Sequence, residues 1–309
     1  MTLGAFAENW KQQNRERLYN MLSFEFSHTP LMKLIHAPEI MYKLSWVNKF
    51  WSKEGQRQSR RLSSDSTING EYYAPKPNVA NFCLLGMAGS YTDFHIDFGG
   101  SSVWYHVYSG QKIFYIIQPN EEHFTLFSKW MASPTHSQDF FNELIPSKSM
   151  TKVVINPGET VLLPSGYIHS VYTPVDSIVF GGNFIHELNI ARQLRVYQIE
   201  IDSETDPKFM FPEFEIINWL AAKSIIERTF EAVSPDIIDG YRVLLQHLKL
   251  WENREKKKNK NYKGNLQFPD VIKKLERMFK DFDKSMKEDC YDPKPKRKVG
   301  KKGAVSSRR

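Results

Sequence analysis

The chain has 309 residues, 41% of them hydrophobic and 14% aromatic, which excludes a disordered polymer and allows one large domain or two small ones around a sizeable core. No uncharged apolar run reaches the roughly 18 residues of a membrane-spanning helix, no signal peptide opens the chain, and two cysteines (Cys83 and Cys290) cannot build a disulfide scaffold or a zinc finger, so a reducing intracellular compartment is expected. The net charge is +7, but eight of the 42 Lys and Arg and one of the 35 acids lie between Asp292 and Arg309; the other 291 residues hold 34 of each sign and are neutral.

In chain order, residues 1–80 read as an N-terminal helical region with Trp10, Leu18, Met21 and Leu22 as apolar anchors, interrupted over 52–70 by a polar insertion rich in Ser, Arg and Gln. Residues 81–190 change character. Short runs rich in β-branched and aromatic residues recur at 82–87, 103–107, 112–117, 152–155, 160–163 and 178–184, separated by turn signals such as Phe98-Gly99-Gly100, Ser109-Gly110 and Asn156-Pro157-Gly158. Many short strands with regular turns predict a sandwich or barrel. Residues 191–290 return to helical spacing, through Leu194, Tyr197 and Ile199, then Ile216, Ile217, Leu220, Ile225 and Ile226, then Val243, Leu244, Leu248 and Leu250, with a last amphipathic helix over 268–282. Arg254 to Lys263 reads as a solvated basic loop. Residues 291–309 form a basic tail without apolar periodicity, expected to be disordered.

The chemistry concentrates at Thr92-Asp93-Phe94-His95-Ile96-Asp97. Residues two apart on a strand share a face, so His95 and Asp97 can converge on one ion. Nine histidines and 35 acidic residues give roughly one such pair by chance, so the pair alone is weak. A second imidazole would complete the facial triad of non-haem Fe(II). His169 is the candidate: a strand ends near Pro164, turns at Ser165-Gly166, and a new apolar strand presents it. His186, after the last strand, is the best decoy; His28, His36, His123 and His136 fall in helix, loop or polar connection, and His106 is expected to pack. A 2-oxoacid chelating the metal needs a buried cation for its far carboxylate. Lys112 opens an otherwise apolar strand and, with the hydroxyls of Tyr105 and Thr92, makes a carboxylate clamp; the plainer reading is a lysine that snorkels to water.

The stretch Ser90 to Pro119, together with Pro164 to Pro174 and Phe180-Gly181-Gly182-Asn183-Phe184, resembles the JmjC histone lysine demethylases. Similarity reaches back to Asn20–Ser27 and forward through the C-terminal helices, and it favours the branch associated with PHD fingers over the one with a CXXC finger. The resemblance implies an α+β protein with a double-stranded β-helix core, a jelly-roll of the cupin kind, flanked by N- and C-terminal helices. It implies Fe(II) at His95, Asp97 and His169, with 2-oxoglutarate at Thr92, Tyr105 and Lys112 and dioxygen as oxidant. Asn20, Leu22 and Asn183 match further positions lining the site. The implied reaction is oxidative demethylation of mono- or dimethyl-lysine on the histone H3 tail, with lysine nine or twenty-seven favoured, by a nuclear regulator of transcription. The alternatives are a JmjC protein hydroxylase and a non-catalytic chromatin scaffold. Three features depart from the family: no PHD-type Cys/His cluster, Phe82 where relatives carry tyrosine, and the longer polar insertion at 52–70. The tail over 293–309 fits nuclear import and non-specific DNA contact.

Overall fold

The computed structural model describes residues 1–51, 76–136, 138–230, 233–258 and 270–289. The polar insertion at 52–70, the second half of the basic loop (259–263) and the tail over 291–309 lie outside the described residues.

Seven strands form one open, all-antiparallel sheet: β1 (Asn20–Glu25), β2 (Phe82–Gly86), β3 (Tyr91–His95), β4 (Ser102–Ile117), β5 (Met150–Ile155), β6 (Thr160–Leu163) and β7 (Ile168–Phe184). Two of them, β4 and β7, are long, and they pair along nearly their whole lengths. Their register shifts three times between Val107 and Ile113, and the ribbon bends there. Gly110 sits in the bend with φ +79°; a Cβ on it would reach 2.1 Å from the Asp176 carbonyl oxygen, so only glycine lets the two backbones cross this closely. The runs expected as separate strands at 103–107 and 112–117 are therefore one strand, and the Ser109-Gly110 signal marks a bulge in it.

The bend folds the sheet onto itself. One half carries β3, the start of β7, the end of β4, and β5; the other carries β1, β2, the end of β7, the start of β4, and β6. This is the double-stranded β-helix. Tyr105, Val107, Phe114, Ile155, Val171 and Val179 fill the space between the halves.

Eight α-helices among the described residues cover the outer surfaces: α1 (Leu3–Lys11), α2 (Glu39–Leu44), α3 (Trp46–Phe50), α4 (Glu121–Met131), α5 (Ile190–Asp202), α6 (Phe214–Ile225), α7 (Pro235–Lys258) and α8 (Val271–Asp289). The last four pack with α3 into the largest apolar cluster, around Ile217, Leu244, Leu248 and Leu275, each fully buried. Two details of the C-terminal reading shift. Leu250 is exposed, and α7 runs through Arg254 to Lys258. Two sequence readings differ from the structure. Asn20–Glu25 is an edge strand paired with β2, with Leu18 and Leu22 about half exposed instead of anchoring a helix. The connection expected to be polar after β4 contains α4, whose Phe124, Phe127 and Trp130 are buried at helical spacing, and His123 is buried on that helix.

Candidate active site

His95 and His169 face each other as register partners across β3 and β7. Between Thr92 and His95 the register shifts, and this bulge turns two residues three apart in sequence toward the same interior. Strand β3 stops at His95. Asp97 follows in extended backbone (φ −60°, ψ 143°) at the start of the tight turn Phe98–Gly100, so it shares the face of His95 without belonging to the strand. One ligand atom from each of His95, Asp97 and His169 lies within 4.8 Å of the others, and His169 Nε2 stands 3.7 Å from Asp97 Oδ2.

The surrounding bonds orient all three side chains. His95 Nδ1 donates to the Asp93 carbonyl (2.8 Å) and His169 Nδ1 to the Tyr167 carbonyl (3.1 Å), which leaves both Nε2 lone pairs facing inward. Burial, then the neighbouring His95, lowers the His169 pKa to about 4, so the ring is neutral and able to ligate at neutral pH. The Phe114 ring stacks on His169 at 5.7 Å. Asn183 Nδ2 donates to Asp97 Oδ1 (3.1 Å) and to Ser101 Oγ (2.9 Å), leaving Oδ2 as the ligand oxygen. Two imidazoles and one carboxylate group converging on one point, each held from behind, fit a non-haem Fe(II) ion.

The turn behind Asp97 is locked to the C-terminal helices. Gly99 and Gly100 have φ near +60°, and a Cβ on either would come within 2.9 Å of Phe211 and Phe214 or of Val196. The Gly99 N–H donates to Glu200 Oε1 on α5 (2.7 Å), and burial pushes the Glu200 carboxyl up to about 7.

A cavity of about 170 Å³ opens beside the three ligands, lined by all of the other candidates: Asn20, Leu22, Thr92, Tyr105, Lys112 and Asn183. Lys112 is 3% exposed and donates from Nζ to Thr173 Oγ1 (2.7 Å), and no acidic partner meets it among the described residues. Its Nζ lies so close to Gly86 that a Cβ there would be 2.5 Å away. Burial lowers its pKa to about 8, which leaves it mostly charged at neutral pH. It does not snorkel. A buried cation without a counter-ion at the end of a cavity fits the far carboxylate of a small dicarboxylate. Burial raises the Tyr105 pKa, so its phenol is a neutral donor. Asn20 Nδ2 donates to Thr92 Oγ1 (3.0 Å), tying edge strand β1 to the site. Phe82 presents an apolar wall to the same cavity.

The decoy is fully engaged elsewhere. His186 Nδ1 accepts from the Leu188 N–H (3.2 Å), and its Nε2 donates to Ser102 Oγ (2.8 Å). Three contributors escaped the sequence reading. Thr173 follows His169 and Val171 at period two on one face of β7, Phe114 follows Lys112 at the same period on β4, and either could have been found by that alternation. Glu200 carries no local signal.

Two family models match the chain: "JmjC domain, hydroxylase" over residues 82–184 and "Jumonji helical domain" over residues 188–287. Lysine-specific demethylase 7A of Danio rerio is 41% identical over 261 residues, 82% of this chain and 28% of its own length. Histone lysine demethylase PHF8 of the same species is 37% identical over 300 residues, 94% of this chain and 27% of its own. Lysine-specific demethylase 2A of Xenopus tropicalis is 38% identical over 221 residues, 71% of this chain and 19% of its own. The chain thus spans less than half the length of the curated relatives it matches. Similarity to the first two runs on through the strands into the C-terminal helices, and with both domains present in that order the chain belongs to the JmjC family, in the PHD-finger-associated branch of lysine-specific demethylase 7A and PHF8.

Proposed function

We propose that the chain is an Fe(II)- and 2-oxoglutarate-dependent demethylase of mono- or dimethyl-lysine on the histone H3 tail, with lysine nine or twenty-seven favoured, acting in the nucleus. The observation that carries the reading is the pairing of two features in one cavity: three ligand atoms within 4.8 Å of each other and a buried Lys112 that meets no acidic group among the described residues. When bound, iron with 2-oxoglutarate and dioxygen supplies the oxidation of an N-methyl carbon, with 2-oxoglutarate leaving as succinate and carbon dioxide and the methyl group as formaldehyde.

The protein's own part is binding, orientation and the exclusion of water. His95, Asp97 and His169 hold the metal, and Asn183 fixes the Asp97 carboxylate by donating to the oxygen that does not ligate. Lys112 takes the far carboxylate of the co-substrate, with the Tyr105 and Thr92 hydroxyls beside it. Asn20 keeps the Thr92 hydroxyl in place. Leu22, about half exposed at the rim, and Phe82 give the methylated side chain an apolar approach. No side-chain nucleophile or general base is needed, and among the described residues the cavity lining has no ionisable group beyond the three ligands, Lys112 and Tyr105.

The names of the relatives favour lysine demethylation over protein hydroxylation. The complete ligand set weighs against a non-catalytic scaffold, since one ligand substitution would remove the metal. The basic segment over 293–309 supplies nuclear import and attraction to DNA phosphates. The test is incubation of dimethylated H3 peptides with the protein, Fe(II), ascorbate and 2-oxoglutarate. A demethylase removes one CH₂ unit per step with stoichiometric formaldehyde; a gain of one oxygen without formaldehyde identifies a hydroxylase.

A further inference from the structure

The strand alternation that sends Thr92, Phe114, His169 and Val171 into the active-site cavity sends their neighbours Tyr91, Tyr115, Ser170 and Tyr172 to the opposite face of the same sheet. There they line a second pocket of about 410 Å³, closed on its other side by Phe94, Phe140, Asn142 and Met150, and it shares no lining residue with the first. Five of its eight residues are aromatic. Three rings are open to solvent: Tyr91 is 36% exposed, Tyr172 37% and Phe140 45%. Tyr91 and Phe140 make one wall, with ring centroids 6.0 Å apart and a tilt of 35°, and Phe140 meets Phe94 nearly edge-on at 6.0 Å.

The pocket also has an incompletely satisfied polar floor. Ser170 is fully buried, and its Oγ, near the Tyr91 hydroxyl, meets no partner at full hydrogen-bond geometry among the described residues. Asn142 Oδ1 is a second buried acceptor, without a donor among the described residues. A buried acceptor left bare costs free energy, so an occupant bringing N–H donors is favoured. Asp93, next in chain to the pocket residues, interacts electrostatically with Tyr91 and adds negative charge at this edge. Lys152, the register partner of Tyr115, is exposed and does not line the pocket.

Electron-rich ring faces, unpartnered acceptors and a nearby carboxylate select for an organic cation with N–H groups. A guanidinium meets all three demands. It is planar, stacks on aromatic faces, carries five donors and is more weakly hydrated than an ammonium. We propose that this outer pocket is a second binding site, independent of the metal centre, that takes the arginine side chain of a basic peptide.

The experiment is a calorimetric titration of the full chain with N-acetyl-arginine methylamide, and in parallel with its neutral isostere N-acetyl-citrulline methylamide. The arginine compound binds saturably with one site, and the citrulline compound binds about tenfold more weakly or not at all, as loss of a cation over partly desolvated rings requires. Phe140→Ala and Tyr172→Ala change exposed side chains, so the fold survives, and each weakens binding roughly threefold or more. Asn142→Leu, which removes the bare acceptor, also weakens it. Leu22→Ala, at the rim of the other cavity, leaves it unchanged. Equal binding of the citrulline compound, or unchanged binding in both aromatic variants, overturns the proposal. Tetramethylammonium displacing the arginine compound better than ethylguanidinium does would also overturn it, because the site would then be a cage for methylated ammonium.

Discussion

Replacing Lys112 with methionine stabilises the ligand-free protein near neutral pH. The lysine is 3% exposed, and burial alone lowers its pKa from 10.5 to about 8. A shift of that size corresponds to about 3 kcal/mol of cost to the folded state whenever the side chain is charged. Methionine keeps the apolar stem and removes the charge. It also removes the hydrogen bond to Thr173, worth about 1 kcal/mol, so the net gain near pH 7 is about 2 kcal/mol. The pH dependence is the sharper signature. Below about 8 both folded and unfolded chains hold the proton and the folded state bears the full cost. Between about 8 and 10.5 only the unfolded chain holds it, so wild-type stability rises with pH relative to the variant. Urea denaturation of both proteins near pH 7 and near pH 10 measures this. The wild type recovers roughly 3 kcal/mol relative to the variant over that interval. Added 2-oxoglutarate at about 100 times its dissociation constant stabilises the wild type by up to about 2.7 kcal/mol and leaves the variant unchanged. A variant less stable than wild type near pH 7, together with a difference independent of pH, would refute the buried, unpaired cation.

Four further outcomes follow from the site. Affinity for 2-oxoglutarate falls by about one decade per pH unit above about pH 8, as Lys112 loses its proton, and a titration series across that range reads it directly. His169→Ala lowers Co(II) binding, followed by its visible absorption, by more than the 10–100-fold typical of outer-shell changes, whereas a His186→Ala variant that still folds keeps its metal. Glu200→Ala weakens Co(II) binding by roughly tenfold because the turn behind Asp97 loses its tether, and Glu200→Gln, which retains the acceptor for the Gly99 N–H, restores it; equal loss in both variants would discard the tether. Deleting residues 292–309 flattens the salt dependence of nucleosome binding, its log–log slope falling by about 0.9 for each DNA phosphate that the tail neutralises, and leaves turnover of a short methylated peptide unchanged; equal slopes would reduce the tail to solvated charge.

The three candidate ligands were legible because each sits in a short local pattern, and a folded sheet brings distant strands together. The physical reason His95 and Asp97 converge is different from strand alternation: a bulge turns His95 inward, and the turn after the strand carries Asp97. The candidate cation Lys112 was legible as a charge in an apolar run, and the structure buries it beside the cavity. Its partner Thr173 lies 61 residues away and becomes a neighbour only through the bent ribbon of β4 and β7. The strand at Asn20–Glu25 was not legible because it is an edge strand whose Leu22 is only half buried, at the cavity rim, so its apolar pattern resembles a loose helix. Glu200 was invisible for another reason. It acts on the backbone N–H of Gly99, and a backbone donor leaves no trace in side-chain pattern.

The most direct test of the iron and 2-oxoglutarate reading is mass spectrometry of a dimethylated H3 peptide incubated with the protein, Fe(II), ascorbate and 2-oxoglutarate, with formaldehyde and succinate quantified in the same sample. The account predicts stepwise loss of CH₂ units, with one formaldehyde and one succinate per step, all abolished by His169→Ala. Succinate formation that persists in His169→Ala, or a peptide that gains oxygen and releases no formaldehyde, would contradict it.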